Sequence, residues 1–117
     1  GFTIADGLVN TGGGINNAGR LTIANCIFLN NLAADGGAIF NTNQLRVSNT
    51  LLINNSALSF GGGIYSSGGS STLTSCSLTG NQASSGGGIY TASHTATLSN
   101  CVLQSNTATG SGGGISS

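Results

Sequence analysis

The chain has 117 residues, enough for one domain with a modest core. Only Asp6, Arg20, Asp35 and Arg46 are charged, the net charge is zero, and Gly, Ser, Thr and Asn supply more than half of the chain; an ordinary globular domain is about 25% charged. Two arginines well apart in sequence cannot neutralise a run of phosphates, the helix-breaking composition forbids a bundle, and no apolar run approaches the roughly 20 residues of a membrane span.

The elements, taken in chain order, repeat one unit. Phe2-Thr3-Ile4 reads as a partial copy of a short alternating segment. Gly12-Gly13-Gly14-Ile15 is the first of five glycine-isoleucine runs, and Leu21-Thr22-Ile23 gives the alternating segment in full. Cys26-Ile27-Phe28-Leu29 follows, then Asn31-Leu32-Ala33, then Gly36-Gly37-Ala38-Ile39. The same order recurs through Leu45-Arg46-Val47, Asn55-Ser56-Ala57 and Gly61-Gly62-Gly63-Ile64. It recurs again through Ser71-Thr72-Leu73, Asn81-Gln82-Ala83 and Gly86-Gly87-Gly88-Ile89, and through Ala96-Thr97-Leu98, Asn106-Thr107-Ala108 and Gly112-Gly113-Gly114-Ile115. The glycine runs open at Gly12, Gly36, Gly61, Gly86 and Gly112, a nearly even step. A fixed period of this length marks a stacked repeat architecture, not a linker or a disordered segment.

Each unit carries three strand-like pieces separated by small polar residues, with no helical spacing. One unit cannot bury its apolar face alone, whereas stacked units pair their strands in parallel. The fold class is therefore all-β: a single-stranded parallel β-helix of about five coils of roughly 24–26 residues, one repeat domain over 1–117. Leucine-rich repeats share the period, but their spaced leucine and asparagine pattern is missing.

Side-chain alternation predicts three inward columns: Ile4, Ile23, Val47, Leu73, Leu98; then Phe28, Leu52, Leu78, Leu103; then Ile15, Ile39, Ile64, Ile89, Ile115. Thr3, Thr22, Arg46, Thr72 and Thr97 are expected to point outward as a binding face, beside Ala5, Ala24, Ser48, Thr74 and Ser99. Asn31, Asn55, Asn81 and Asn106 are expected to stack as a structural amide ladder. Phe40, Tyr65 and Tyr90, which follow the glycine runs, form an outward aromatic stripe suited to stacking on sugar rings or on another chain.

Phe28-Leu29-Asn30-Asn31 and Gly36-Gly37-Ala38-Ile39 resemble the FxxN and GGA[ILV] motifs of chlamydial polymorphic membrane proteins, autotransporter adhesins with β-helical passengers. The other coils keep a looser form, with Leu52, Leu78 or Leu103 for the Phe and GGGI for GGAI. The same pattern is similar to right-handed parallel β-helix repeats of the pectate-lyase type in bacterial secreted proteins. The resemblance implies a right-handed coil, a bacterial chain that is extracellular or on the cell surface, and an adhesive or scaffold role.

Catalytic chemistry has little to work with. Glycosidases need two facing carboxylates, and Asp6 and Asp35 fall on different corners, each read as a solvated turn residue. His94 is the only histidine and reads as an exposed turn residue, with no acidic neighbour for a triad and no partners for a zinc site. Cys26, Cys76 and Cys101 occupy one place in the repeat, with Thr50 there in the coil between. Stacked strands hold Cβ atoms about 4.8 Å apart, beyond the usual disulfide separation of about 3.8 Å, so small buried thiols are expected.

The resulting expectation is a non-enzymatic structural or adhesive solenoid with no catalytic residue, cofactor or metal. Its expected partners are other copies of the chain, through the solenoid ends, and a glycan or other host-surface ligand, without nucleic acid or membrane insertion. Apolar columns running from Ile4 to Ile115 suggest a subunit that stacks head to tail into a fibre, or a slice of a longer passenger. Two alternatives are an ice-binding protein using the Thr/Ala/Ser face and a non-catalytic remnant of a polysaccharide-active β-helix enzyme.

Overall fold

The computed structural model describes residues 2–92 and 96–116. The first coil holds β1 (Thr3–Ala5), β2 (Leu8–Thr11), β3 (Ile15–Asn17) and β4 (Arg20–Ala24). The second holds β5 (Ile27–Leu29), β6 (Leu32–Asp35), β7 (Ile39–Asn41) and β8 (Gln44–Ser48). The third holds β9 (Leu51–Ile53), β10 (Ser56–Phe60), β11 (Ile64–Ser66) and β12 (Ser70–Thr74). The fourth holds β13 (Ser77–Thr79), β14 (Gln82–Ser85), β15 (Ile89–Thr91) and β16 (Ala96–Ser99). A partial fifth coil has β17 (Val102–Gln104), β18 (Thr107–Ser111) and β19 (Ile115–Ser116). The strands are all short, and no helix among the described residues is long and apolar enough to cross a membrane.

Each coil has four strands, one more than the sequence pattern suggested. The additional strand is β2 and its equivalents; in β6, β10 and β14 its inward residue is a small buried alanine, Ala33, Ala57 or Ala83, while the first coil has a half-exposed Val9 in register with Ala33. A column of small side chains carries little hydrophobic signal, which is why the sequence pattern did not mark this segment as a strand. Strands in equivalent positions pair in parallel with the coils above and below, making three five-stranded sheets and one of four. The sheets are named A (β1, β5, β9, β13, β17), B (β2, β6, β10, β14, β18), C (β3, β7, β11, β15, β19) and D (β4, β8, β12, β16).

The first inward column needs one correction. Ile4 stacks on Phe28 in sheet A, so it heads the Phe28, Leu52, Leu78, Leu103 column, and Ile23, Val47, Leu73 and Leu98 form the sheet D column without it. Ile4 lies a full period before Phe28 but well short of one before Ile23, so the period itself selects Phe28. The isoleucine column Ile15, Ile39, Ile64, Ile89 and Ile115 is in register along sheet C. Phe28, Ile39, Leu45, Leu52, Ile64, Leu73, Leu78 and Ile89 are wholly shielded from solvent.

Corners set the cross-section. Between sheets A and B the chain turns at Asp6, Asn30, Asn54, Gly80 and Ser105, all with φ between 55° and 67°. Between D and A it turns at Asn25, Asn49, Ser75 and Asn100, with φ between 48° and 57°. Asn and Asp tolerate this left-handed region better than other residues because their short polar side chains bond locally. Between B and C the first glycine of each run takes the same conformation, as at Gly36 with φ 64°. The glycine after it is needed for closeness: a Cβ on Gly37 would run into the carbonyl oxygens of Gly62 and Ser56.

Candidate functional site

Asn31, Asn55 and Asn81 are buried and Asn106 is half-buried, all just past the A–B corner. Asn31, Asn55 and Asn81 each join three coils, and Asn106 joins the last two. Asn31 Nδ2 and its backbone N–H donate to Asn55 Oδ1 at 3.0 Å, and Asn55 donates in the same way to Asn81 Oδ1 at 3.0 and 2.9 Å. Asn81 donates to Asn106 Oδ1 at 2.9 and 3.0 Å. In the other direction, the Nδ2 groups of Asn31, Asn55, Asn81 and Asn106 reach the carbonyls of Ile4, Phe28, Leu52 and Leu78. The first coil has Gly7 at this place, and its backbone N–H donates to Asn31 Oδ1 at 2.9 Å.

A second buried polar column, absent from the sequence reading, lies at the C–D corner. Asn17 Nδ2 donates to Asn41 Oδ1 at 2.8 Å, and Asn41 Nδ2 donates to Ser66 Oγ at 3.1 Å. Thr91 is buried opposite Ser66 in the next coil. Asn17 and Asn41 stand one period apart, which was the available signal, but the change to Ser and Thr in later coils hides it.

Cys26, Cys76 and Cys101 are free thiols, with Cys26 and Cys76 buried. The Cys26 thiol donates to the Ala24 carbonyl at 3.2 Å, and the Cys76 thiol points at those of Thr74 and Val47. The Thr50 hydroxyl fills the equivalent place: it donates to the Ser48 carbonyl at 2.8 Å and accepts the Cys26 N–H at 3.3 Å. Burial pushes the Cys76 thiol above its ordinary 9.0, so it is a poor nucleophile.

Phe40, Tyr65 and Tyr90 are partners along sheet C, with successive ring centroids 5.3 and 5.4 Å apart and the rings edge to face. Phe60, the last residue of β10, packs on both tyrosines at 5.5 and 4.5 Å. The sequence reading missed it because it precedes the B–C corner, whereas the stripe follows it. The ring faces are thereby engaged partly with one another. Asn16 and Ser116 continue the column at its two ends. Burial, then the charge of Asp35, then Tyr90 push the Tyr65 phenol above its ordinary 10.0.

Thr22, Arg46, Thr72 and Thr97 form one outward column on sheet D. Thr3 does not belong to it: it pairs with Ile27 on sheet A, and Ala5 pairs with Leu29. The cause is the same phase that places Ile4 over Phe28. Asp6 is an exposed A–B corner residue. Asp35 is not a solvated turn residue but ends strand β6, half-buried, with one carboxylate oxygen shielded and without a hydrogen-bond partner. The two carboxylates thus lie apart, Asp6 at the A–B corner of the first coil and Asp35 at the end of a sheet B strand in the second. Among the described residues no three His, Cys, Asp or Glu side chains group to hold a metal ion. His94 lies outside the described residues.

Comparison with known proteins adds two matches. Residues 3–108 match the family described as right handed beta helix region, and residues 100–117 match the Chlamydia polymorphic membrane protein repeat. Neither the curated proteins nor the solved structures gave a match. A family match over nearly the whole chain, together with in-register parallel coils on four sheets, identifies this protein as a member of the right-handed parallel β-helix family.

Proposed function

We propose that the chain is a non-enzymatic solenoid segment of a bacterial surface passenger, with a structural and adhesive role. The observation that carries this reading is the match of residues 100–117 to the Chlamydia polymorphic membrane protein repeat. The side-chain inventory supports it. Two carboxylates in different coils, Asp6 at a corner and Asp35 at a strand end, do not face one another across one bond of a substrate, and the buried Cys76 thiol is held in the protonated form. Short strands, tight corners and amide ladders build a stiff solenoid block whose outward residues form regular columns, a suitable surface for display.

In this reading the ladders continue past the fifth coil. Ile115, the last member of the inward isoleucine column, is half exposed, and a further coil, from the same chain or from a second copy stacked head to tail, covers it. Two measurements test the proposal. Beads coated with the folded chain should be retained on cultured epithelial cells above beads coated with the urea-unfolded chain. The purified protein should release no product from polygalacturonate or alginate with or without calcium. Equal retention of the two bead types would refute adhesion, and turnover lost in Asp35→Asn would refute the non-enzymatic assignment. Electron microscopy at high protein concentration tests stacking: rods much longer than one chain support it, and monodisperse particles contradict it.

A further inference from the structure

Arg20 and Arg46 are the only arginines, and the chain has no lysine. Their separation in sequence is one coil plus two positions, so the fold brings them onto neighbouring strands of sheet D. Arg20 is the Cα partner of Gln44, and Thr22 is the partner of Arg46. Residues two apart on a strand share a face, so Arg20, Thr22, Gln44 and Arg46 make one outward square with the arginines across its diagonal. At the spacings of paired strands the two Cα atoms stand about 8 Å apart. The four residues, with Leu21, line a shallow cleft of about 320 Å³. A second cleft of about 210 Å³ opens on the other side of Arg46, over Thr22, Ser48, Thr72 and Thr74.

Like charges close together on one sheet face repel. Neither aspartate relieves this pair, because Asp6 follows β1 at the A–B corner and Asp35 ends β6 on sheet B. Both arginines are exposed, and the side chains around them are hydroxyls and one amide. The positive charge of the molecule is thus concentrated at one cleft with hydrogen-bond donors in its floor.

We propose that this cleft binds a phosphomonoester group. The choice among anions follows from charge and geometry. A phosphomonoester carries close to two negative charges and three terminal oxygens. Two guanidinium forks each take a pair of those oxygens, and the Gln44 amide and the Thr22 hydroxyl complete the set. A carboxylate has a single charge and is satisfied by one fork. A phosphodiester likewise leaves one positive charge unbalanced, which separates this site from a nucleic-acid surface. The site is independent of the adhesive reading and survives its failure.

The test is a titration of the isotope-labelled chain with inorganic phosphate at low ionic strength and neutral pH, followed by amide and arginine Nε–H resonances. Acetate and dimethyl phosphate serve as matched monoanions. Saturable shifts confined to Arg20, Thr22, Gln44 and Arg46 are expected, with phosphate binding at least about tenfold more tightly than either monoanion. Arg20→Gln and Arg46→Gln should each weaken phosphate binding about tenfold, with unchanged far-UV circular dichroism because both side chains are exposed. Shifts that do not saturate, that follow ionic strength equally for all three anions, or that persist undiminished in either variant would overturn the proposal.

Discussion

Replacing Asn55 by alanine tests the amide ladder at a wholly buried member. The side chain is wholly shielded and takes part in four hydrogen bonds of 3.0 Å. Two are accepted from Asn31 and two are donated, to the Phe28 carbonyl and to Asn81 Oδ1. Removal leaves the Asn31 backbone N–H without its acceptor in a site closed to water. At about 1 kcal/mol for each bond lost, and somewhat more for the orphaned donor, the cost is about 4 kcal/mol. This is a large share of the roughly 5–15 kcal/mol that holds an ordinary domain together. Asn106→Ala removes three bonds, but Asn106 is only half-buried, so water replaces part of them and the loss falls to about 1–2 kcal/mol. With a urea slope of about 2 kcal/mol/M, the Asn55 midpoint should drop by about 2 M and the Asn106 midpoint by less than about 1 M. Asn55→Asp should be worse than alanine at pH 7, because a carboxylate oxygen would face the Phe28 carbonyl and Asn81 Oδ1. Urea unfolding followed by circular dichroism decides the matter. Equal small shifts at both positions would refute the view that the ladder staples the coils.

Further outcomes follow from single contacts. Leu73→Asn puts an amide without partners into the sheet D column, where Leu73 is wholly shielded, and should cost about 3 kcal/mol or more; Thr72→Asn, its outward neighbour, should shift the urea midpoint little. Gly37→Ala should cost about 3 kcal/mol through collision with the Gly62 and Ser56 carbonyls, whereas Gly19→Ala, which meets nothing within 4 Å, should stay within about 0.5 kcal/mol. The raised pKa of Cys76 predicts alkaline sensitivity: below its ordinary 9.0 the thiol is protonated in both states and stability is complete. Above that value the unfolded chain ionises first, so stability falls until pH passes the folded-state pKa. Cys76→Thr, which copies Thr50, should remove this part of the alkaline loss in urea unfolding measured across pH 8–11, a range of about three units around the ordinary thiol value.

The period was legible because it is written twice, in the glycine runs and in the asparagines, and a parallel stack requires both to recur at one spacing. Bulky columns such as Ile39, Ile64 and Ile89 were legible for the same reason. Phase was harder. Phe2-Thr3-Ile4 looks like Leu21-Thr22-Ile23 by residue type, and only the length of one coil, counted along the chain, assigns it to sheet A. The fourth strand stayed hidden because alanines fill its inward column, and the Asn17–Asn41 column because serine and threonine replace its amides further along. At the outward face, the stretch between Arg20 and Arg46 looked like a separation. On a chain that returns to the same sheet after every coil that distance is a contact, and reading it required the register of β4 against β8.

The central claim is that residues one coil apart lie side by side in parallel register. Interstrand nuclear Overhauser contacts in an isotope-labelled sample test it directly. They are predicted to link residues one coil apart on all four sheets: Ile4 with Phe28, Val47 with Leu73, Ala57 with Ala33, and Tyr65 with Tyr90. Within each sheet the difference in residue number should stay nearly constant as the contact moves along the strand. Contacts between consecutive segments in which one residue number rises as the other falls, the signature of hairpins, would contradict the fold and every column derived from it.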